Sequence, residues 1–307
     1  MRSLLSVLRG SALALSALLC LPSWAADRSV VDASGATVTV PDKPQRPLAL
    51  SELDLDALLA LKLTPVGTVK GRGQDTAPRY LGPAAARVPL VGGFGAPVLD
   101  RVIALQPDLI LAGGIPDPEL LAQLKRIAPT VITYRLGEDW KAAFERIGRL
   151  VNRAPQHREF MTGYQKRVEE VRTRLGKQAS ATVSVVRWNP QGPAYMLKDS
   201  FASLVLADLQ LKRPASQLQP GVAHSQPLSL EALDRIDGDW LFIGTLSPTG
   251  QATEALNTAR QSPAFRQLRA VQQQRMVGVD GSLWTSLGGP LAALTLLGDV
   301  DRAMAGR

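Results

Sequence analysis

One stretch of this chain occurs twice. Leu99-Asp100-Arg101-Val102-Ile103-Ala104-Leu105-Gln106-Pro107-Asp108-Leu109-Ile110-Leu111-Ala112-Gly113 is matched without a gap by Leu230-Glu231-Ala232-Leu233-Asp234-Arg235-Ile236-Asp237-Gly238-Asp239-Trp240-Leu241-Phe242-Ile243-Gly244. Asp100 falls on Glu231, Pro107 on Gly238, Asp108 on Asp239, and one apolar run on another. Each copy predicts a short helix, a turn, a buried strand and a glycine, which is half of a βαβ unit. A weaker echo pairs Leu58-Leu59-Ala60-Leu61-Lys62-Leu63 with Leu206-Ala207-Asp208-Leu209-Gln210-Leu211. Duplication of this unit points to an α/β fold of two similar lobes, each built on a parallel sheet.

Residues 137–177, between the copies, predict a helical spine. Apolar residues recur at helical spacing through Trp140, Phe144, Ile147, Leu150 and Val151, then through Phe160, Tyr164, Val168, Val171 and Leu175. Pro155 interrupts the pattern but suits the first turn of a second helix, where no N–H partner is lost. The chain therefore divides into a leader (1–25), an N-terminal lobe (26–136), the spine and a C-terminal lobe (178–307). Ligands of parallel sheets sit at the carboxyl ends of the strands. Two such sheets joined by a long helix imply a ligand cleft between the lobes.

The leader reads as an export signal: Arg2 and Arg9, an apolar core from Ser11 to Leu21, and a cleavage site at Ser23-Trp24-Ala25. The apolar run is too short to span a membrane, which takes roughly 20 residues. Cys20 would mark a lipoprotein only with a small residue before it, and Leu19 stands there, so the expectation is a free periplasmic protein. Cleavage near Ala25 would leave a mature chain without cysteine, excluding disulfides and thiolate chemistry. It would also lower the formal charge from +8 to +6, since Arg2 and Arg9 leave and no acid precedes Asp27. The remaining basic residues are dispersed along helices with no interleaved aromatics, which argues against nucleic acid as a partner.

Catalytic signatures are scarce. Gly92-Gly93-Phe94-Gly95 lacks the third glycine and the helix start of a dinucleotide loop, and no P-loop, nucleophile elbow or His-Glu-x-x-His motif occurs. Of the two histidines, His157 falls on the polar stripe of the spine and His224 in a loop of the second lobe. Neither a catalytic residue nor a metal ligand is assigned. Predicted strand ends instead carry aromatics (Phe94, Tyr134, Trp188, Tyr195, Trp284) and cations (Lys70, Arg72, Arg79, Arg135, Arg187, Lys198). Flat walls with a few guanidinium groups suit a bulky, oxygen-rich anion. Trp240, inside a strand, and Trp140, on the spine, read as core.

Together with the leader and the repeat, Leu48-Ala49-Leu50-Ser51, Leu63-Thr64-Pro65-Val66-Gly67 and Leu124-Lys125-Arg126-Ile127-Ala128-Pro129-Thr130-Val131 resemble the periplasmic ferric-siderophore and ferric-dicitrate binding proteins of ABC importers. The likeness runs from about Val30 to Ala305. It implies a rigid spine with little hinge closure, a monomer, and a shallow cleft for an iron chelate whose metal is already coordinated, so that no cofactor is needed. It also implies an acid on each lobe that docks on permease arginines, matching Asp100 and Glu231, with Asp100 shorter than the usual glutamate. The family's cleft positions match Arg72, Phe94, Arg135, Arg187 and Trp284 best. A haem or cobalamin carrier of the same fold is the alternative; an axial ligand for haem would come from Tyr80, Tyr134, Tyr195 or His224. A periplasmic enzyme relying on His224 is a third reading.

Overall fold

A computed structural model describes residues 27–306; the leader, Cys20 and the cleavage site lie outside them. Among the described residues no helix is long and apolar enough to cross a membrane. Asp27–Val31 and Thr37–Pro41 form an antiparallel hairpin. Two separate four-stranded sheets follow. In the N-terminal lobe Gly67–Thr68, Pro47–Ala49, Leu109–Leu111 and Thr130–Val131 lie side by side, all parallel. In the C-terminal lobe Val183–Asn189, Trp240–Gly244 and Met276–Gly278 run parallel, while Gly192–Tyr195 returns antiparallel along the first of them.

Both copies of the repeat take the same place. Each supplies an interior strand, Leu109–Leu111 or Trp240–Gly244, and each aspartate ties down the start of the neighbouring strand. Asp108 accepts the N–H groups of Gln45 and Arg46, ahead of Pro47; Asp239 accepts the N–H of Thr182, ahead of Val183. The weaker echo is as close. Lys62 and Gln210 both take a left-handed φ, and Leu63 and Leu211 donate back to the carbonyls of Leu58 and Leu206, the same helix-ending turn twice. The copies differ in one respect: Leu99–Ala104 is α-helical, whereas Leu230–Ile236 winds as a kinked 3-10 segment.

Strand side chains alternate between two apolar compartments, as the pleat requires. Ala49, Leu109, Leu111, Val183, Val185, Trp240 and Phe242 face a core shared by both lobes, the spine and the closing helix (Pro290–Met304). Leu48 and Ile110 face a separate outer core in the first lobe, and Val186, Leu241 and Ile243 another in the second. The spine comprises Trp140–Leu150 and Ala154–Leu175, with Pro155 in the first turn of the second helix as expected. Trp140 packs edge-on against Tyr164 at 5.2 Å and Phe144 against Phe160 at 5.3 Å. His157, expected in solvent, is instead half-buried with its ring 4.9 Å from Phe144. Arg167 and Arg174 both bind Asp301 of the closing helix, and Tyr164 and Lys141 both bind Asp208 of the second lobe. A core common to both lobes therefore joins them along the spine.

Candidate functional site

Strand ends of the two lobes converge at one boundary. On the N-terminal side Ser51 caps the first helix (Glu52–Ala60), its hydroxyl accepting the Asp54 N–H at 3.1 Å. The Glu52 carboxylate accepts the backbone N–H of Arg72, which fixes the loop after strand Gly67–Thr68. On the C-terminal side Arg187 leaves strand Val183–Asn189 and donates to the Thr285 side chain at 2.9 Å and to the Thr285 carbonyl. The lobes are stitched at this level: Arg79 Nη2 donates to Asp280 at 2.9 Å, to Ser282 at 3.1 Å and to the Leu246 carbonyl at 3.3 Å. Gly73, at φ 68°, lies so close to Leu246 that an added Cβ would sit 2.8 Å from its Cβ. At the far side Gly137 lies against Val222.

Electrostatics at this boundary are unusual. Arg187 is 3% exposed, and desolvation, reinforced by the charge of Arg72, pushes its pKa down to about 10. Among the described residues neither arginine forms an ion pair. Burial pushes the Glu52 carboxyl up to about 7 despite the Arg72 N–H and charge, so at neutral pH it is only partly ionised beside them. Two further acids on the same helix are fully buried. Asp54 accepts the Gly113 N–H and the Thr133 hydroxyl; Asp56 accepts the N–H groups of Leu291 and Ala292 and the Tyr80 hydroxyl. Burial raises both to about 6.

Of the eight expected cleft residues, Arg72 and Arg187 both lie at this boundary, close enough for their charges to interact. Phe94 is exposed at the tip of a two-stranded ribbon, Gly92–Gly93 with Ala96–Pro97. The others are corrections. Trp188, expected in the cleft, lies within strand Val183–Asn189 and alternates with Arg187, so it points into the outer core, 6.0 Å from Phe265. Tyr195 pairs with Val186, shares that outer face, and accepts a hydrogen bond from Arg235 at 2.9 Å. Trp284 is fully buried, stacked on Phe242 at 4.6 Å with its indole N–H on Asp299. Tyr134 is 2% exposed and fills the space left by two glycines; an added Cβ at Gly113 would fall 2.2 Å from its ring. Arg135 turns away from the boundary to bond the carbonyls of Ala33 and Ser34 in the hairpin turn. Glu52, Asp54, Asp56 and Thr285 were not among the residues expected at the site. The alternation Glu-Leu-Asp-Leu-Asp at a helix start was the available signal, since helical geometry cannot keep all three acids on one solvated face.

A periplasmic binding protein family model matches residues 20–283. The chain belongs to this family. The binding protein is 32% identical over 282 residues to a probable siderophore-binding lipoprotein of Bacillus subtilis, covering 89% of this chain and 86% of that one. It is 29% identical to an achromobactin-binding periplasmic protein of Dickeya dadantii (84% and 86%) and 25% identical to the Fe(3+) dicitrate-binding periplasmic protein of Escherichia coli (92% and 92%). Among solved structures, Staphylococcus aureus SirA complexed with staphyloferrin B superimposes with a TM-score of 0.78 at 23% identity, covering 90% of this chain and 98% of that one. At that identity the match speaks for the two-lobe fold alone. Asp100 and Glu231 of the binding protein are both exposed, each in the first turn of its repeat helix.

Proposed function

We propose that this binding protein captures a ferric-siderophore or ferric-citrate complex between its lobes in the periplasm and delivers it, chemically unchanged, to the membrane subunits of an ABC importer. The observation that carries the reading is the meeting of Arg72 and Arg187 from opposite lobes without a neutralising carboxylate. A buried guanidinium held only by neutral groups is destabilising by several kcal/mol unless an anion completes it. The relatives' names specify achromobactin and ferric dicitrate as cargo, and ferric dicitrate is such an anion. The iron is cargo and arrives with its coordination filled by the chelate, so the protein itself needs no cofactor. Asp100 and Glu231, one on each lobe, are the points that dock on basic residues of the permease, and the carrier acts as a monomer.

A haem carrier finds less support in the geometry. Tyr80 is engaged with Asp56, Tyr195 is in the outer core on Arg235, Tyr134 is sealed over two glycines, and His224 Nδ1 faces the Ser225 carbonyl. Calorimetric titration of the mature protein with ferric citrate, a ferric hydroxamate, a ferric catecholate and haem tests the proposal. Saturable binding of at least one ferric chelate is expected; binding of haem alone would overturn it.

A further inference from the structure

Resting on the carrier reading, we infer that the cargo is a carboxylate-type ferric chelate, with a free carboxylate seated on the Arg187 guanidinium, rather than an aromatic catecholate or a hydroxamate. The geometry of Arg187 argues for this first. A guanidinium has five N–H donors. Thr285 takes Nε–H and one hydrogen of Nη2, both from residues of the same lobe. The remaining end of the fork, Nη1 with the other Nη2 hydrogen, is held in a fixed plane by those two bonds. Two parallel donors in one plane match the two oxygens of a carboxylate. In catecholate and hydroxamate complexes both oxygens of each chelating pair are bound to iron, which makes them weaker acceptors than the oxygens of a free carboxylate.

The walls argue for it second. An aromatic siderophore gains from flat apolar faces beside it. Trp188, Tyr195 and Trp284 are instead locked in cores, each no more than 2% exposed, and Tyr134 is equally covered. Of the aromatics placed at strand ends, Phe94 alone is exposed. What the boundary offers is charge: Arg72 from one lobe and Arg187, held by Thr285, from the other. Glu52, the acid nearest to Arg72, is raised to about 7 by burial and can be neutral when an anion enters.

The test is a titration of the full mature protein and of R187K with three probes: ferric citrate in excess citrate, ferric desferrioxamine and a ferric tris-catecholate. The wild-type protein should bind ferric citrate at least about tenfold more tightly than either other probe. R187K keeps the charge but loses the planar fork, so it should lose about tenfold or more toward ferric citrate while retaining the wild-type melting temperature. Tighter binding of the catecholate or the hydroxamate would overturn the carboxylate assignment and leave the carrier reading standing. Undiminished citrate binding by R187K would overturn the role of the fork. Failure of all three probes would overturn both inferences.

Discussion

The Asp56 carboxylate caps the closing helix of the chain through the backbone N–H of Leu291, at 2.7 Å. Its other oxygen takes the N–H of Ala292 at 2.9 Å and the Tyr80 hydroxyl, and Gly289 passes so close that an added Cβ would meet the carboxylate carbon at 2.7 Å. One buried side chain of the first lobe thus satisfies the N-terminus of a helix that packs on both lobes and the spine.

Removing that cap should weaken the whole molecule rather than one lobe. D56A leaves buried N–H groups unpaired and should lower unfolding stability by about 1–3 kcal/mol in urea. Because the lobes share a core, a single cooperative transition is expected, shifted to lower urea. Two separate transitions would show that the lobes unfold independently.

Stability should fall as the solution becomes more alkaline through the weakly acid range. Asp54 and Asp56, raised to about 6 by burial, and Glu52, raised to about 7, hold protons more tightly in the folded chain than in the unfolded one. The stability this contributes is fully present below the ordinary carboxylate value and is lost as pH rises through about 6 to about 7. Urea midpoints should therefore decline over that window, and D54N should flatten the decline. A midpoint that climbs with pH there would contradict the assignment.

Affinity and stability should part company at Arg187. R187M removes a buried charge that has only Thr285 for company, so the melting temperature should hold or rise, with a gain of up to about 1–3 kcal/mol. Affinity for an anionic chelate should drop by about 1.5–3 kcal/mol, the worth of a charge-assisted hydrogen bond. Parallel calorimetry of melting and of binding separates the two effects.

Docking and capture should also be separable. D100R and E231R alter exposed first-turn acids, one on each lobe. Chelate affinity should stay unchanged in both, while uptake of labelled iron by cells carrying either variant should stop. A variant that loses binding would place its acid in the cargo site.

The core assignment of Trp284 has its own check. W284F keeps the stack on Phe242 but loses the indole N–H to Asp299, and should destabilise by about 1–3 kcal/mol with ligand affinity intact. A loss of affinity without a loss of stability would return Trp284 to the cleft.

Much of the architecture was legible in the chain because it rests on local chemistry. The repeated helix–turn–strand, the proline that opens the second spine helix and the Gln210-type turn all depend on residues close in sequence. The cations at strand ends were legible too, since strand ends follow from apolar runs. Which face those residues occupy was not. One residue of strand length separates Arg187 at the lobe boundary from Trp188 in the outer core, because successive side chains point to opposite faces of a sheet. Arg135 was drawn away by carbonyls of a hairpin about a hundred residues earlier. The sequence by itself determined two doubled lobes on a helical strut. Only the tertiary structure decided which arginines, among the described residues, are left without a carboxylate in an ion pair, since a charge is paired or unpaired by whatever distant segments the fold brings beside it.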